Sequence, residues 1–383
     1  MAKDKSTAQR AVLIAGDSYH NANLYYATRF LAGDRFLYLA ANGKEYIILT
    51  GFEKGRAEKE SRVKQAVGLE DYGYLKLVKE TNDPDRAFIG ALAKFLGSVR
   101  AKSLRVPGDF PLQLADDLRA AGLQVQVADL AIETDRMVKT KEEIGLIRDA
   151  QRVNEKAMAK AIGLIRKADV KKGILYRKGE PLTAEMLQRA IEVVFTKHGF
   201  ESRDTIVAAG PRSADPHFAG EGPIPAGAPI VIDIFPQGKK SRYFSDMTRT
   251  VVKGKPPKEV KKMYDLTLRA QEIALRAIRP GATGKAVYDE VCDFYEKQGY
   301  GTLRTGATTK GFIHSLGHGV GLEIHENLRL GMSGLKPLAP GNVVTVEPGL
   351  YDPEIGGVRI EDIVVVTKAG CENLTRFPKE LIV

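Results

Sequence analysis

Along the first third of the chain, apolar positions alternate between strand-like and helix-like spacing. Phe36 to Ala41 and Tyr46 to Thr50 are β-rich runs separated by Asn42-Gly43, a dipeptide that tolerates the left-handed angles of a tight hairpin turn. Ser103 to Val106 and Leu123 to Ala128 read as further strands, and the helical pattern from Ala115 to Ala121 between them stops at Gly122. These elements predict a small α/β domain over residues 1–132. The charged stretch Glu133 to Lys139 then precedes a strong helix start. Thr140 and Glu143 have capping-box spacing, and Ile147, Ala150, Ala157, Ala161 and Ile165 recur on one face of the helix that follows. This helix opens a second domain, residues 133–383. Its other predicted helices cover Thr183 to His198, Lys258 to Ile278 and Gly284 to Gln298. Its predicted strands cover Pro229 to Phe235, Tyr243 to Val252, Val343 to Val346 and Gly357 to Thr367. Helices intermixed with antiparallel hairpins read as an α+β fold.

The predicted strands carry acids where apolar residues are expected. In Ile230-Val231-Ile232-Asp233-Ile234-Phe235 a single carboxylate interrupts an apolar run, and a buried carboxylate must be paired, protonated or bound to a metal. A hairpin centred near Lys239-Lys240 sets Asp246 opposite Asp233, with Cβ atoms about 5 Å apart. The competing arrangement turns Asp246 to solvent in an ion pair with Arg249. The pattern recurs in Val343 to Glu347 and in Gly357 to Val366, which contains Glu361, with Pro348, Gly349, Gly356 and Gly357 marking a turn between them. Two hairpins that each present two acids point to a cation site.

Four of the six histidines fall between residues 217 and 325. Three of them, His314, His318 and His325, stand within twelve residues beside Gly317, Gly319 and Gly321. Those glycines argue against a helix, so the spacing of His314 and His318 is not a helical zinc motif, and no strand–turn–helix context makes it a dinucleotide loop. His20, the only histidine of the first domain, reads as structural or exposed. Four carboxylates and one imidazole exceed the charge that one divalent ion balances, whereas two ions match it. Such an oxygen-rich site suits two divalent ions, manganese, cobalt, iron or zinc rather than softer metals.

Composition narrows the remaining classes. A chain of 383 residues with 43% hydrophobic and 28% charged residues can bury a core in each of two domains. Cys292 and Cys371 lie far apart and outside any Cys-x-x-Cys pair, so neither a disulfide framework nor a sulfur-ligated zinc site is expected, and a reducing cytoplasm fits. Met1 to Arg10 is polar, and the apolar run Ala11 to Gly16 is too short for a signal-peptide core or a membrane span. Neither export nor a membrane anchor is expected. The net charge of +10 is dispersed: 19 Lys and Arg accompany 16 Asp and Glu over residues 1–132, and 39 accompany 32 over the rest. Without a basic stripe, nucleic acid is not an expected partner.

The order of these motifs resembles the pita-bread metallopeptidases, which include Xaa-Pro aminopeptidases, prolidases and methionine aminopeptidases. The resemblance rests on Asp233, on Asp246 with Thr248-Arg249-Thr250, on Gly317-His318-Gly319-Val320-Gly321, on Val346-Glu347-Pro348-Gly349 and on Arg359-Ile360-Glu361-Asp362. The first domain resembles the creatinase-type N-terminal domain of the proline-specific branch, including Asn23-Leu24-Tyr25-Tyr26 and the segment Lys139-Thr140-Lys141. The resemblance implies a pita-bread catalytic domain, with Asp233, Asp246, His318, Glu347 and Glu361 as metal ligands. It implies that Glu347 is also the proton shuttle, that His325 stabilises the tetrahedral intermediate and that His217 sits near the scissile peptide. His314 then lines the substrate pocket, and Tyr351 and Arg359 lie in that pocket or behind the ligands. A peptide substrate and a homodimer are implied as well. The expected reaction is hydrolysis of the first peptide bond before proline, in longer peptides or in dipeptides alone. A non-peptidase of the same fold, either a creatinase-like hydrolase or a peptide-binding module, is the alternative. Three features depart from the family pattern: the Gln237 to Lys240 loop, Ser315-Leu316 before the metal histidine, and the Lys171 to Lys178 segment, which reads as an insertion.

Overall fold

Residues 11–383 are described by a computed structural model, so the polar segment Met1 to Arg10 lies outside the described residues. The chain forms two compact units, one ending at Arg136 and the other beginning at Met137.

Among the described residues the first unit holds six strands: β1 (Ala11–Gly16), β2 (Phe36–Ala41), β3 (Lys44–Leu49), β4 (Gln65–Gly68), β5 (Ser103–Val106) and β6 (Gln124–Val127). They form one mixed sheet in the order β4-β3-β2-β1-β5-β6. Its helices are α1 (Ala22–Thr28), α2 (Gly51–Glu60), α3 (Tyr74–Thr81), α4 (Pro84–Ser98) and α5 (Leu112–Ala120), followed by α6 (Ala131–Met137). Asn42 and Gly43 take φ of 53° and 73°, the positive angles a two-residue hairpin turn requires, and Ala41 pairs with Lys44 across it. The second strand therefore starts at Lys44, two residues before the expected Tyr46. The short apolar run Ala11 to Gly16 is β1, hydrogen-bonded between β2 and β5. Its consecutive residues Leu13 and Ile14 are both fully buried, in cores on opposite faces of the sheet, as the period of two demands.

The second unit repeats one arrangement twice: a pair of helices packed on an antiparallel sheet. First come α7 (Lys141–Arg166), a meander of β7 (Asp169–Lys171), β8 (Ile174–Arg177) and β9 (Glu180–Pro181), and α8 (Ala184–Lys197). After β10 (Phe200–Glu201) come β11 (Ile206–Ala209), β12 (Ile230–Ile234), β13 (Gln237–Gly238) and β14 (Met247–Val251). Ala157, Ile165, Leu187 and Ile191 of the helices share a core with Ile232 and Met247 of the sheet β11-β12-β14. The second set begins with α9 (Lys258–Ala277) and α10 (Gly284–Lys297). It continues with β15 (Gly317–Gly319), β16 (Glu326–Leu330), β17 (Val343–Val346), β18 (Gly349–Asp352), β19 (Gly356–Arg359), β20 (Asp362–Val366) and β21 (Cys371–Asn373). Met263 and Tyr288 pack there against Val344 and Val364 of the sheet β16-β15-β17-β20-β21. The capping box forms as its spacing predicts: Glu143 N–H donates to Thr140 Oγ at 3.2 Å and Thr140 N–H to Glu143 Oε2 at 2.8 Å. The segment Lys171 to Lys178, expected as an insertion, runs from the end of β7 through β8 into the turn before β9. No helix among the described residues is long and apolar enough to cross a membrane.

Two hairpin expectations are corrected. Asp233 pairs with Thr248 and Ile234 with Met247, so the turn centres one residue later than Lys239-Lys240 and Asp246 is diagonal to Asp233 rather than opposite it. The cause is the tip. Gly238 and Tyr243 close it through Gly238 N–H to Tyr243 O at 3.0 Å, with Arg242 at φ 64°. The expected strand Gly357 to Thr367 is also broken into β19 and β20. Pro348 has no N–H to donate across the ladder, and the Glu361 N–H turns instead to Thr248 O at 3.1 Å. That bond ties the second hairpin to the first.

Arg249 does not pair with Asp246. It is fully buried, donates to Asp362 Oδ1 at 2.8 Å and to Glu361 O at 2.6 Å, and also reaches the carbonyl of Pro378. Lys379 Nζ, 2.6 Å from Asp362 Oδ2, still balances that carboxylate, so Arg249→Leu is expected to cost about 1–3 kcal/mol in chemical denaturation, through the buried carbonyls of Glu361 and Pro378 that lose their donor.

Candidate active site

The two hairpins bring their acids into the wall of a cavity of about 1010 Å³. Asp233 lies in β12, Asp246 just before β14, His318 in β15, Glu347 just after β17 and Glu361 just before β20. All five line the cavity together with His217, His314, His325 and Arg359. Tyr351 is buried behind them. Donor atoms of Asp246, His318 and Glu361 lie within 4.8 Å of one another. His318 Nε2 is 3.7 Å from Asp246 Oδ2 and 3.3 Å from Glu347 Oε1.

The chemistry of this set fits divalent cations on three grounds. First, His318 Nδ1 lies 3.1 Å from Gly319 O, and a carbonyl only accepts. That ring nitrogen therefore carries a proton, and Nε2, the nitrogen turned to the carboxylates of Asp246 and Glu347, is the one placed to ligate a cation beside them. Second, Asp233 Oδ1 and Asp246 Oδ1 are buried with no hydrogen-bond partner, although buried acceptors are rarely left unsatisfied. Third, burial raises the pKa of Asp246 and Glu361 well above the usual carboxylate range. Asp233 and Glu347 add repulsion at Asp246, and Asp246 and Glu347 add it at Glu361. Burial would raise Glu347 too, but its hydrogen bond to and the charge of His318 outweigh it and hold the group at about 2.

Around the acids the side chains are held in place. Thr248 Oγ donates to Glu361 Oε2 at 2.8 Å, and Thr345 Oγ to Glu347 Oε1 at 3.0 Å. Asp233 uses its second oxygen to accept from Arg359 at 2.7 Å. Arg359 also donates to Tyr351 Oη at 2.7 Å, and Tyr351 Oη lies 2.9 Å from His314 Nε2. Because His314 Nδ1 donates to Ser315 O at 2.7 Å, Nε2 must accept from the tyrosine, and burial lowers the pKa of His314 further. His325 meets His318 edge-on, with ring centroids 4.4 Å apart. Burial, then the neighbouring His318, push His325 down to about 4, so it is neutral at pH 7. His217 is exposed at the cavity wall, and its backbone N–H is held by Asp215 Oδ1 at 3.0 Å.

All ten singled-out residues except Tyr351 thus line one cavity, and Tyr351 touches two of them. Sequence reasoning passed over Thr345, although its place two residues before Glu347 puts both on one face of a strand. It also passed over Arg203 and Arg329 in the cavity wall, which no local pattern singles out.

Residues 145–368 match the model of metallopeptidase family M24. A Xaa-Pro dipeptidase of Pyrococcus horikoshii is 33% identical over 97% of this chain and 94% of its own. Among solved structures, a Xaa-Pro dipeptidase from Bacillus anthracis superposes with a TM-score of 0.81 at 28% identity, over 97% of this chain and 95% of its own. An X-Pro aminopeptidase from Thermotoga maritima superposes with a TM-score of 0.80 at 28% identity, over 98% and 97%. The α+β architecture is that of the pita-bread enzymes, and the chain belongs to metallopeptidase family M24.

Proposed function

We propose that this metallo-exopeptidase hydrolyses the N-terminal Xaa-Pro bond of peptides, using two divalent ions held by Asp233, Asp246, His318, Glu347 and Glu361. The observation that carries the reading is the convergence of these donors, two with orphaned buried oxygens, in the wall of a cavity large enough for a short peptide. Relatives named Xaa-Pro dipeptidase and X-Pro aminopeptidase support the substrate class. Bound ions supply Lewis acidity toward the scissile carbonyl and acidify a water.

The chain's own groups do the rest. Glu347, ionised and fixed by Thr345, takes the proton of the attacking water and passes it to the leaving nitrogen. His325, neutral at the working pH, donates an N–H to the developing oxyanion. His217 sits beside the scissile peptide, and His314 lines the pocket on the chain Asp233, Arg359, Tyr351, His314. Catalysis belongs to residues 133–383 and the creatinase-like domain to residues 1–132. Manganese is the first choice of ion, and a cytoplasmic homodimer completes the reading, in keeping with unpaired Cys292 and Cys371.

The test is a panel of Xaa-Pro, Xaa-Pro-Xaa and Xaa-Ala peptides assayed with manganese, cobalt, zinc and iron. Release of the first residue only before proline is expected. Cleavage of Xaa-Pro alone makes the enzyme a dipeptidase, and cleavage of both proline peptides makes it an aminopeptidase. No cleavage with any ion would overturn the proposal.

A further inference from the structure

Lys139 and Glu326 form an ion pair whose side chains are 2% and 4% exposed, with Nζ 2.5 Å from Oε2. Burying two charges costs several kcal/mol per ion, and apolar replacements often hold such a place as well or better. Stability alone is therefore a poor reason for the pair. Its location offers another. The second oxygen of Glu326 accepts the Leu322 N–H at 2.9 Å, so the carboxylate sits inside the turn that joins β15 to β16. That turn closes tightly on it: a Cβ at Gly321 would lie 2.5 Å from Glu326 Oε1, and one at Gly319 would meet Glu326 Cβ at 3.2 Å. The β15–β16 register shifts between His318 and Gly319, so that His318 pairs with Arg329 while Gly319 pairs with Glu326. The turn thus starts beside His318 and ends at His325, and the two imidazoles meet edge-on at 4.4 Å. Lys139 is itself fixed by its N–H to Gly341 O at 2.9 Å and by the capped start of α7 at the next residue.

We propose that Lys139 is a positioning residue: through Glu326 it sets the 319–326 turn and so holds the His325 imidazole against His318 for the reaction. The role assigned to His325 rests on the exopeptidase reading above. Lys139 is not among the residues that line the cavity, and its effect on His325 runs through the turn. Without the ammonium, the carboxylate loses the charge that lies 2.5 Å from Oε2 and the turn opens around it. Removing the charge as well lets a glutamine oxygen accept the Leu322 N–H and leaves the turn closed.

The experiment compares Lys139→Met, Lys139→Arg, Glu326→Gln and the double variant Lys139→Met/Glu326→Gln in the manganese-loaded enzyme. It reads kcat and KM on an Xaa-Pro dipeptide, metal content, and the His318–His325 ring contact in crystal structures. Lys139→Met is expected to lower kcat about 10- to 100-fold, the range seen when groups behind a metal site are removed, with KM and metal content within about twofold. Lys139→Arg is expected to retain most of kcat, and the double variant to recover most of what Lys139→Met loses. A kcat within twofold of wild type in Lys139→Met, additive losses in the double variant, or an unchanged ring contact would overturn the proposal. If Lys139→Met does not fold, the double variant and Lys139→Arg decide it: low kcat in both overturns it. A wild-type enzyme that cleaves no proline peptide would instead sink the exopeptidase reading, and the ring contact would still test the positioning.

Discussion

Glu347→Gln is expected to lower kcat by about 10³-fold or more while leaving the fold intact. General acid–base catalysis by one positioned group contributes roughly 10²–10⁴-fold, and the amide can neither take a proton from water nor return it to the leaving nitrogen. The shape is kept, and Thr345 Oγ, now 3.0 Å from the carboxylate, still has an oxygen to donate to. The repulsion that Glu347 exerts on Asp246 and Glu361 is relieved, but the stability its depressed pKa provides at neutral pH is lost with it, so the melting temperature of the metal-free variant is expected to lie modestly below wild type with the fold retained. Metal content must be measured beside kcat, because the same substitution removes one proposed ligand. Near-normal turnover at full metal occupancy would show that another group shuttles the proton.

Much of the site was legible because buried acids in apolar strands are costly. Asp233 within Ile230 to Phe235 and Glu347 at the end of Val343 to Val346 stand out against their neighbours in any window. The glycines around His318 also speak directly: a Cβ at Gly317 would lie 2.1 Å from Thr345 O, so β15 approaches β17 too closely for any side chain there. What local pattern misses is set by distant partners. The register of the Asp233 hairpin was read two residues off because the tip residues Gly238 to Tyr243 choose their own closure. The break between β19 and β20 was hidden because Glu361 gives its N–H to Thr248, over a hundred residues away. Helix α4 went unread although Asp83 caps it and Pro84 opens it, because its apolar positions Phe88, Leu92 and Phe95 lie among strands that carried the stronger signal. The twofold repetition of two helices on a sheet is likewise invisible locally, since the two halves share an arrangement rather than a sequence period.

Stripping the divalent ions is expected to destabilise the protein by an amount that grows with pH. In the metal-free chain the folded pKa values of Asp246 and Glu361 are raised, first by burial and then by neighbouring carboxylates. An acid with a raised folded pKa contributes stability that is fully present below its unfolded value, about 4, and that is lost as pH rises through the folded value. Glu347 acts in the opposite sense. Held at about 2, it contributes stability present above its unfolded pKa and lost as pH falls toward 2, a window below the one that matters here. The lowered His314 and His325 add stability that rises with pH only up to the unfolded histidine value of about 6.5, so above it the two raised acids govern the metal-free protein. Bound ions hold these carboxylates ionised at no such cost, and any ligand at 100 times its Kd adds about 2.7 kcal/mol. Melting curves of chelator-treated and manganese-saturated protein from pH 5 to 9 should therefore diverge as pH rises. Parallel curves would mean that Asp246 and Glu361 do not hold the ion, because a site elsewhere would leave their mutual repulsion in place in both samples.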